Sequence, residues 1–428
     1  MHVLSNKTFD VIVLGGGPAG LGSALNLAEK GMTVLLLEKN RISQTEKTWL
    51  TFNYILEKYS LRECIRNQFS EIAFSCYLGN SFVFNNKDFI YPILGEKALE
   101  LISQRAQNKG AVIKENEPFI HYSVNETDSA VIVKTTKSKY RAKFIVDAMG
   151  QQSEILRSKG IGNETIYMGC LALSLESVNH KNDNKLLLYD SFFPGPDYFW
   201  LVPLEDDRMM AGVFFFNTLS EGNIKGKTEK LKFYIQAKGL GGKVCNTWMG
   251  NIPLGVQTNV NSDNFFFIGD NCNTALPSSG FSFNRCLEDS ELLASFISQC
   301  YNNKLPFANY KKGILGKKIP GIEIHLIISD MLSNFTDPML NKAIGEMNNL
   351  GEDFIISFLT GRDMSINFSI NALKAILTTF SLQELSSLSL KQHHLKNLMT
   401  LYKLLPGLKS ARIGEQLKDF VRSLIKPN

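Results

Sequence analysis

Residues 9–38 read FDVIVLGGGPAGLGSALNLAEKGMTVLLLE, and their order decides the fold class. Phe9 to Leu14 (FDVIVL) is short, apolar and β-branched, the signature of a buried parallel strand. It runs directly into Gly15-Gly16-Gly17-Pro18-Ala19-Gly20 and a helical pattern that Gly31 closes; a second apolar run, Thr33 to Leu37, then ends at Glu38. This is GxGxxG in a complete strand–turn–helix–strand setting, with an acid 23 residues after the first glycine. Gly15 permits the tight turn, Gly17 lets a pyrophosphate approach the backbone, and Gly20 lets helix and strand pack closely. Pro18 and Ala19 open the helix, whose unpaired N–H groups and positive dipole end face the phosphates. Glu38, followed by Lys39, stands where a carboxylate accepts hydrogen bonds from both ribose hydroxyls of an adenosine and repels a 2′-phosphate. The expectation is an α/β dinucleotide-binding fold.

The rest of the chain bounds that reading. At roughly 100–200 residues per domain, 428 residues hold more than one. Apolar residues make up 44% and charged residues 20%, ordinary globular usage that excludes wholesale disorder and fibrous structure. The net charge of +5 is too small for an all-over nucleic-acid binder, so no nucleic-acid partner is expected. That excess belongs to the end of the chain, where Lys391 to Asn428 carries eight basic residues and two acidic ones. Seven scattered cysteines without a CxxC pair fit reduced thiols, and neither a disulfide framework nor a zinc cluster. The six histidines show no helical metal spacing, so no metal is expected. MHVLSNKTFD lacks the basic-then-apolar shape of a secretory signal, and no stretch reaches about 18 uninterrupted apolar residues. A cytoplasmic protein without a membrane span is expected.

A second constellation selects the dinucleotide. Asn264 to Ile268 (NFFFI) is another apolar strand, and Gly269-Asp270 follows it. Then come Pro277-Ser278-Ser279-Gly280-Phe281-Ser282-Phe283-Asn284 and, five residues on, Asp289. A third segment, Tyr140 to Val146, leads into Asp147-Ala148-Met149-Gly150-Gln151-Gln152-Ser153. Together these resemble the flavoprotein superfamily of aromatic-ring hydroxylases (group A flavin monooxygenases), geranylgeranyl reductases, flavin halogenases and lycopene cyclases. Its hydroxylases read GD…PxxGxGxNxxxxD and DxxGxxS there; Ser282 replaces a glycine. The resemblance implies a Rossmann-like, hydroxylase-like FAD-binding domain with an antiparallel-sheet substrate domain and a C-terminal helical region. It implies FAD held by Gly15, Gly17, Pro18, Ala19, Gly20, Glu38 and Lys39 at the adenosine end. Asp270 and Pro277, and Gly280, Phe281 and Ser282 under the flavin edge, serve the other end. A helix starting near Gly280 would point its N–H groups at the flavin edge that gathers negative charge on reduction.

We assign residues 1–46, 88–160 and 256–312 to the FAD-binding domain, 47–87 and 161–255 to the substrate domain, and 313–428 to the helical region. In the substrate domain, Leu186 to Tyr189, Tyr198 to Leu204 and Arg208 to Phe216 read as antiparallel strands, the last two joined by Glu205-Asp206-Asp207. Phe192, Phe193, Tyr198, Phe199, Trp200, Met210, Phe214 and Phe216 make this sheet aromatic; Tyr198, Trp200, Met210 and Phe214 are the pocket candidates. After residue 312, helices are expected at Ile322 to Leu332, Glu352 to Leu359, Ile370 to Leu382, Leu395 to Leu405 and Leu408 to Ile425.

The superfamily leaves several chemistries open. The leading expectation is a monooxygenase: NAD(P)H, visiting transiently because no second GxGxxG follows a strand, reduces the flavin. A flavin C4a-hydroperoxide then oxidises a small apolar or aromatic substrate. No protein group is nominated as catalytic, because the flavin carries the chemistry. A geranylgeranyl-reductase-like or lycopene-cyclase-like enzyme of an isoprenoid or polyene is the alternative. Pro277 to Leu287 tracks the cyclases' PxTGYSxxRxL, with Ser282 and Arg285 included, and Phe358-Leu359-Thr360-Gly361-Arg362 is similar to a cyclase segment. The cyclases' paired glutamates are missing, since Gly212-Val213-Phe214 is followed by no carboxylate until Glu221. A halogenase fits less well: from Thr48 to Phe84 the only lysine is Lys58, outside any halogenase motif. The basic C-terminal helix suits a peripheral membrane contact, a carrier-protein contact or a solvated capping face.

Overall fold

A computed structural model describes residues 4–302 and 325–362, apart from 45–46, 126, 162–165, 179–183, 217, 221–222, 256–259 and 263, together with scattered residues from 372 to 387. The basic tail from 391 onward, with the helices expected at Leu395 to Leu405 and Leu408 to Ile425, lies outside the described residues.

Two large sheets organise the chain. In the first, β16 (Asn261–Ser262), β17 (Phe265–Phe267), β10 (Lys139–Asp147), β1 (Leu4–Leu14), β2 (Val34–Leu37) and β7 (Val112–Lys114) lie side by side in that order. β17, β10, β1, β2 and β7 run parallel, while β9 (Val131–Thr135) and β8 (Phe119–Val124) extend antiparallel from β10. Val11, Ile12 and Val13 are fully buried, and so is every residue of β2, as strands covered on both faces require. One cover is α1 (Pro18–Glu29), with residues 19–28 all buried between this sheet, α3 (Gly95–Asn108) and α6 (Phe283–Tyr301). A Cβ on Gly22 would stand 2.7 Å from Ser290 Oγ of α6, so this glycine sets the close approach of the two helices. Asn26 Nδ2 donates to the same Ser290 Oγ at 2.8 Å.

The second sheet orders β15 (Lys243–Leu254), β11 (Ile166–Glu176), β14 (Met209–Phe215), β13 (Tyr198–Pro203), β12 (Lys185–Ser191), β4 (Glu71–Cys76) and β5 (Ser81–Asn85). All neighbours are antiparallel except β12 with β4. β13 and β14 are joined through Asp206 and Asp207, both at positive φ, as a tight hairpin turn requires. A two-stranded sheet of β3 (Thr48–Phe52) and β6 (Ile90–Leu94) pairs residues from the ranges assigned to the two domains.

Strand alternation gives the second sheet two distinct faces. Leu171, Leu173, Phe199, Leu201, Ala211 and Val213 pack against Leu231, Tyr234 and Ile235 of α5 (Ile224–Ala237). The other face carries Ala172, Trp200, Val202 and Met210 towards Phe281 and the C-terminal helices. Those are residues 325–334, α7 (Asp337–Leu350) and α8 (Glu352–Thr360); α2 (Asn53–Lys58) and α4 (Glu154–Ser158) complete the described α-helices that have named bounds. Neither α5 nor α7 was expected from the sequence. Gly226 and a lysine-rich surface obscure the first, and Gly345 and three asparagines the second. Among the described residues no helix is long and apolar enough to cross a membrane.

Candidate active site

The first turn of the chain has the geometry a dinucleotide needs. Gly15 has φ +104°, and a Cβ there would stand 2.5 Å from Ala148 O. A Cβ on Gly20 would overlap Gly15 O, so helix and strand meet backbone to backbone. Gly17 is the opposite case, because a Cβ there meets nothing within 4 Å. That open space lies at the N-cap of α1, where no side chain caps the helix and Pro18 occupies the first turn. The residues present therefore fit a pyrophosphate. Glu38 sits partly buried beside them, its Oε2 accepting from Gly16 N–H at 2.6 Å and its Oε1 from Asn40 N–H at 2.9 Å. Each oxygen keeps a lone pair for a ribose hydroxyl. Lys39 is exposed next to it.

Across the sheet, Asp270 lies in a 3-10 turn, Gly269–Cys272, directly after β17. Burial raises its carboxyl above the usual range, against the pull of Lys47 and a hydrogen bond from Gln151. The turn is pinned from β10: Asn271 Nδ2 donates to Asp147 Oδ1 at 2.8 Å, and Ser153 Oγ donates to Asp147 Oδ2. Asp147 is fully buried, and burial pushes its carboxyl up to about 6.

The α6 helix begins at Phe283, so the start expected near Gly280 is corrected by about one turn. Gly280 instead closes a backbone turn, with φ +72° and its N–H donating to Leu276 O at 2.7 Å. Pro277 is buried behind this turn, while Gly280, Phe281 and Ser282 reach its front. Ser282 is the N-cap of α6 and makes no side-chain cap bond, so the first N–H groups of that helix stay available.

One cavity of about 540 Å³ joins Asp270 and residues 278–283 to the second sheet and the C-terminal helices. Tyr198, Trp200, Met210 and Phe214 all stand on its wall. Phe192, Phe193 and Phe199 do not; they pack on the opposite face around Tyr234 of α5. Trp200 lies flat on Gly212, where a Cβ would overlap the indole. The lining also includes Met331, Ile344, Phe354, Phe358 and Phe380, and the side chains it takes from the C-terminal helical region are almost wholly apolar. Trp49 and Trp248 line it as well, so all three tryptophans of the chain face this one space.

Several wall residues carried no sequence signal. Lys47, exposed at the mouth, stands one position before the stretch that holds only Lys58. Tyr189 stacks on Tyr198 at 4.4 Å, and burial raises both hydroxyls above the usual range. Behind the wall, the two cyclase-like segments meet. Glu288 accepts from Arg285 Nη1 at 3.4 Å and lies 3.8 Å from Arg362 Nε, and the Arg362 guanidinium covers the Tyr54 ring at 4.1 Å. The approach of Arg362 to Glu288 and Tyr54 cannot be read from spacing.

The family model described as lycopene cyclase protein matches residues 10–325. A digeranylgeranylglycerophospholipid reductase from Methanocella arvoryzae is 23% identical over 319 residues, covering 68% of this chain and 78% of that protein. A geranylgeranyl bacteriochlorophyll reductase-like structure from Thermoplasma acidophilum aligns with a TM-score of 0.73 at 17% identity, over 93% of this chain and all of that one. Aklavinone-11 hydroxylase, solved with FAD and aklavinone, aligns with a TM-score of 0.62 at 15% identity, over 77% and 71%. The fold is that of the FAD-dependent oxidoreductase superfamily, whose members span reductases, monooxygenases and halogenases.

Proposed function

The chain belongs to the lycopene cyclase protein family, and from that premise we propose that it is a FAD-dependent oxidoreductase that reduces a carbon–carbon double bond of a long apolar isoprenoid. The observation that carries this reading is the lining of the cavity, which joins Asp270 and the aromatic wall to apolar side chains of the C-terminal helical region as far along the chain as Phe380. An extended apolar chain covers more of that apolar wall than a compact aromatic ring does. Bound FAD supplies hydride chemistry, with reducing equivalents assigned to NAD(P)H. Gly17 and the α1 N-terminus receive its pyrophosphate, Glu38 its ribose, and Asp270 the bridge between phosphate and ring. The turn at 278–282 and the N–H groups opening α6 would hold the ring end and favour negative charge there. The Tyr198, Trp200, Met210 and Phe214 wall orients the chain and keeps water out.

Monooxygenation is the second reading. It is favoured by the aromatic surface of Tyr198, Trp200 and Phe214, the last of them beside Gly280, which suits a ring-shaped substrate. Product mass separates the two. Purified protein with FAD and NADPH is incubated with geranylgeraniol, geranylgeranyl diphosphate or lycopene, with and without oxygen. Gain of two hydrogens under anaerobic conditions is the expected result. Gain of one oxygen atom, only in air, supports the second reading instead. An isomer of unchanged mass, or no product from any of the three, refutes the proposal.

A further inference from the structure

His325 is fully buried at the start of helical residues 325–334, and its Nδ1 lies 2.5 Å from Ser278 Oγ. Its ring stacks on Phe358 at 4.6 Å and 18°, which fixes the plane of the imidazole. Burial and the nearby Arg285 guanidinium depress its basicity to a pKa of about 3, so the ring is neutral at physiological pH. A neutral ring has one N–H and one lone pair. Its Nε2 is buried without a hydrogen-bond partner among the described residues. A proton on Nε2 would leave that buried donor unpaired, whereas a proton on Nδ1 has Ser278 Oγ as its acceptor. The proton therefore belongs on Nδ1, which donates to Ser278 Oγ. Ser278 is then left with its own O–H free to donate, and Ser278 lines the cavity two residues before Gly280.

We propose that Ser278, held by His325 as a positioning residue, donates a hydrogen bond to an oxygen atom bound in the cavity, and that this oxygen belongs to the substrate. The inference rests on the isoprenoid reading and narrows it: the substrate is an oxygenated isoprenoid, an alcohol or carbonyl compound, and not a bare hydrocarbon. A carbonyl of the flavin offers the same acceptor chemistry, and the two sources respond differently to the loss of Ser278.

The three tryptophans on the cavity wall provide the measurement. Binding of geranylgeraniol and of phytane, a C20 hydrocarbon without oxygen, is titrated by quenching of tryptophan emission in the FAD-loaded protein. Ser278→Ala is expected to weaken geranylgeraniol roughly fivefold and leave phytane unchanged, the loss of one hydrogen bond. Ser278→Thr, which keeps a hydroxyl, restores the affinity. His325→Phe, which keeps the stacked ring, reproduces the loss because the hydroxyl is no longer oriented. Flavin absorbance is recorded in every variant before ligand is added. A shift of the flavin bands in Ser278→Ala with unchanged geranylgeraniol affinity assigns the contact to the flavin and overturns the substrate assignment. Equal weakening of both ligands, or of neither, overturns it as well. If the wild-type protein binds phytane as tightly as geranylgeraniol, the inference fails while the apolar-chain reading stands; if it binds neither, both fail.

Discussion

Gly17→Ala separates cofactor binding from folding. A Cβ at this position meets nothing within 4 Å, and φ is −77°, which any residue adopts. The folded chain itself accommodates the methyl group, and the change from glycine to alanine at a helix N-cap costs no more than about 1 kcal/mol. The space the methyl fills is the one assigned to the pyrophosphate. Forcing the phosphates away weakens their charged hydrogen bonds to the α1 N–H groups, each worth about 1.5–3 kcal/mol. FAD affinity then falls roughly 10- to 100-fold. The assay is paired: FAD titration by flavin fluorescence, and thermal unfolding of the cofactor-free protein. Wild-type FAD affinity in the variant refutes the placement of the pyrophosphate. A large loss of stability without cofactor refutes the reading of residue 17 as open space.

Other substitutions and conditions have defined outcomes. In Gly20→Ala the new Cβ overlaps Gly15 O, a backbone atom that cannot swing aside; the loss is at least about 3 kcal/mol, read as insoluble protein or a collapsed denaturant midpoint. Gly212→Ala drives the Trp200 indole off the sheet into the cavity and costs about 1–3 kcal/mol; geranylgeraniol titration should show binding weakened by at least tenfold. Asp147 has a pKa of about 6 when folded against the ordinary 3.8, so the folded state holds its proton more tightly. Its contribution to stability is full below about pH 3.8 and disappears as pH rises through 6, a change of roughly 3 kcal/mol. Denaturant midpoints between pH 4 and 7 should show this decline in wild type and a clearly smaller one in Asp147→Asn, where Asp270 and Glu288, also raised by burial, still contribute.

How much was legible follows from how local each feature is. The β1–α1–β2 turn could be read outright because its glycines answer constraints set by the turn itself: Gly20 packs on Gly15, Gly16 meets Glu38 at the end of the next strand, and the contacts of Gly15 and Gly20 with Ala148 follow from a tight turn beside a parallel neighbour. The β13–β14 hairpin was equally plain, since two apolar runs and the acidic turn between them lie within 18 residues. The alternation of side chains along a strand carries the division of the aromatic residues, once α5 is known to cover one face. That helix was obscured by its lysines, which leave only Leu231, Tyr234 and Ile235 as a short apolar stripe. Ser278 and His325 are 47 residues apart, and Arg362, just past α8, reaches Glu288 on α6. Such pairings depend on how the C-terminal helices settle over the sheet, and no periodicity encodes them. Lys47 is invisible for the same reason, as a single charge whose meaning comes from Asp270 across the cavity.

The central claim is that FAD lies between the Gly17 turn and the Gly280 turn. The most direct measurement is the absorbance spectrum of the purified protein after saturation with FAD and removal of the excess. The account predicts a yellow protein retaining one flavin per chain, with band shifts relative to free FAD that vanish on denaturation. A colourless protein that retains no flavin would contradict it.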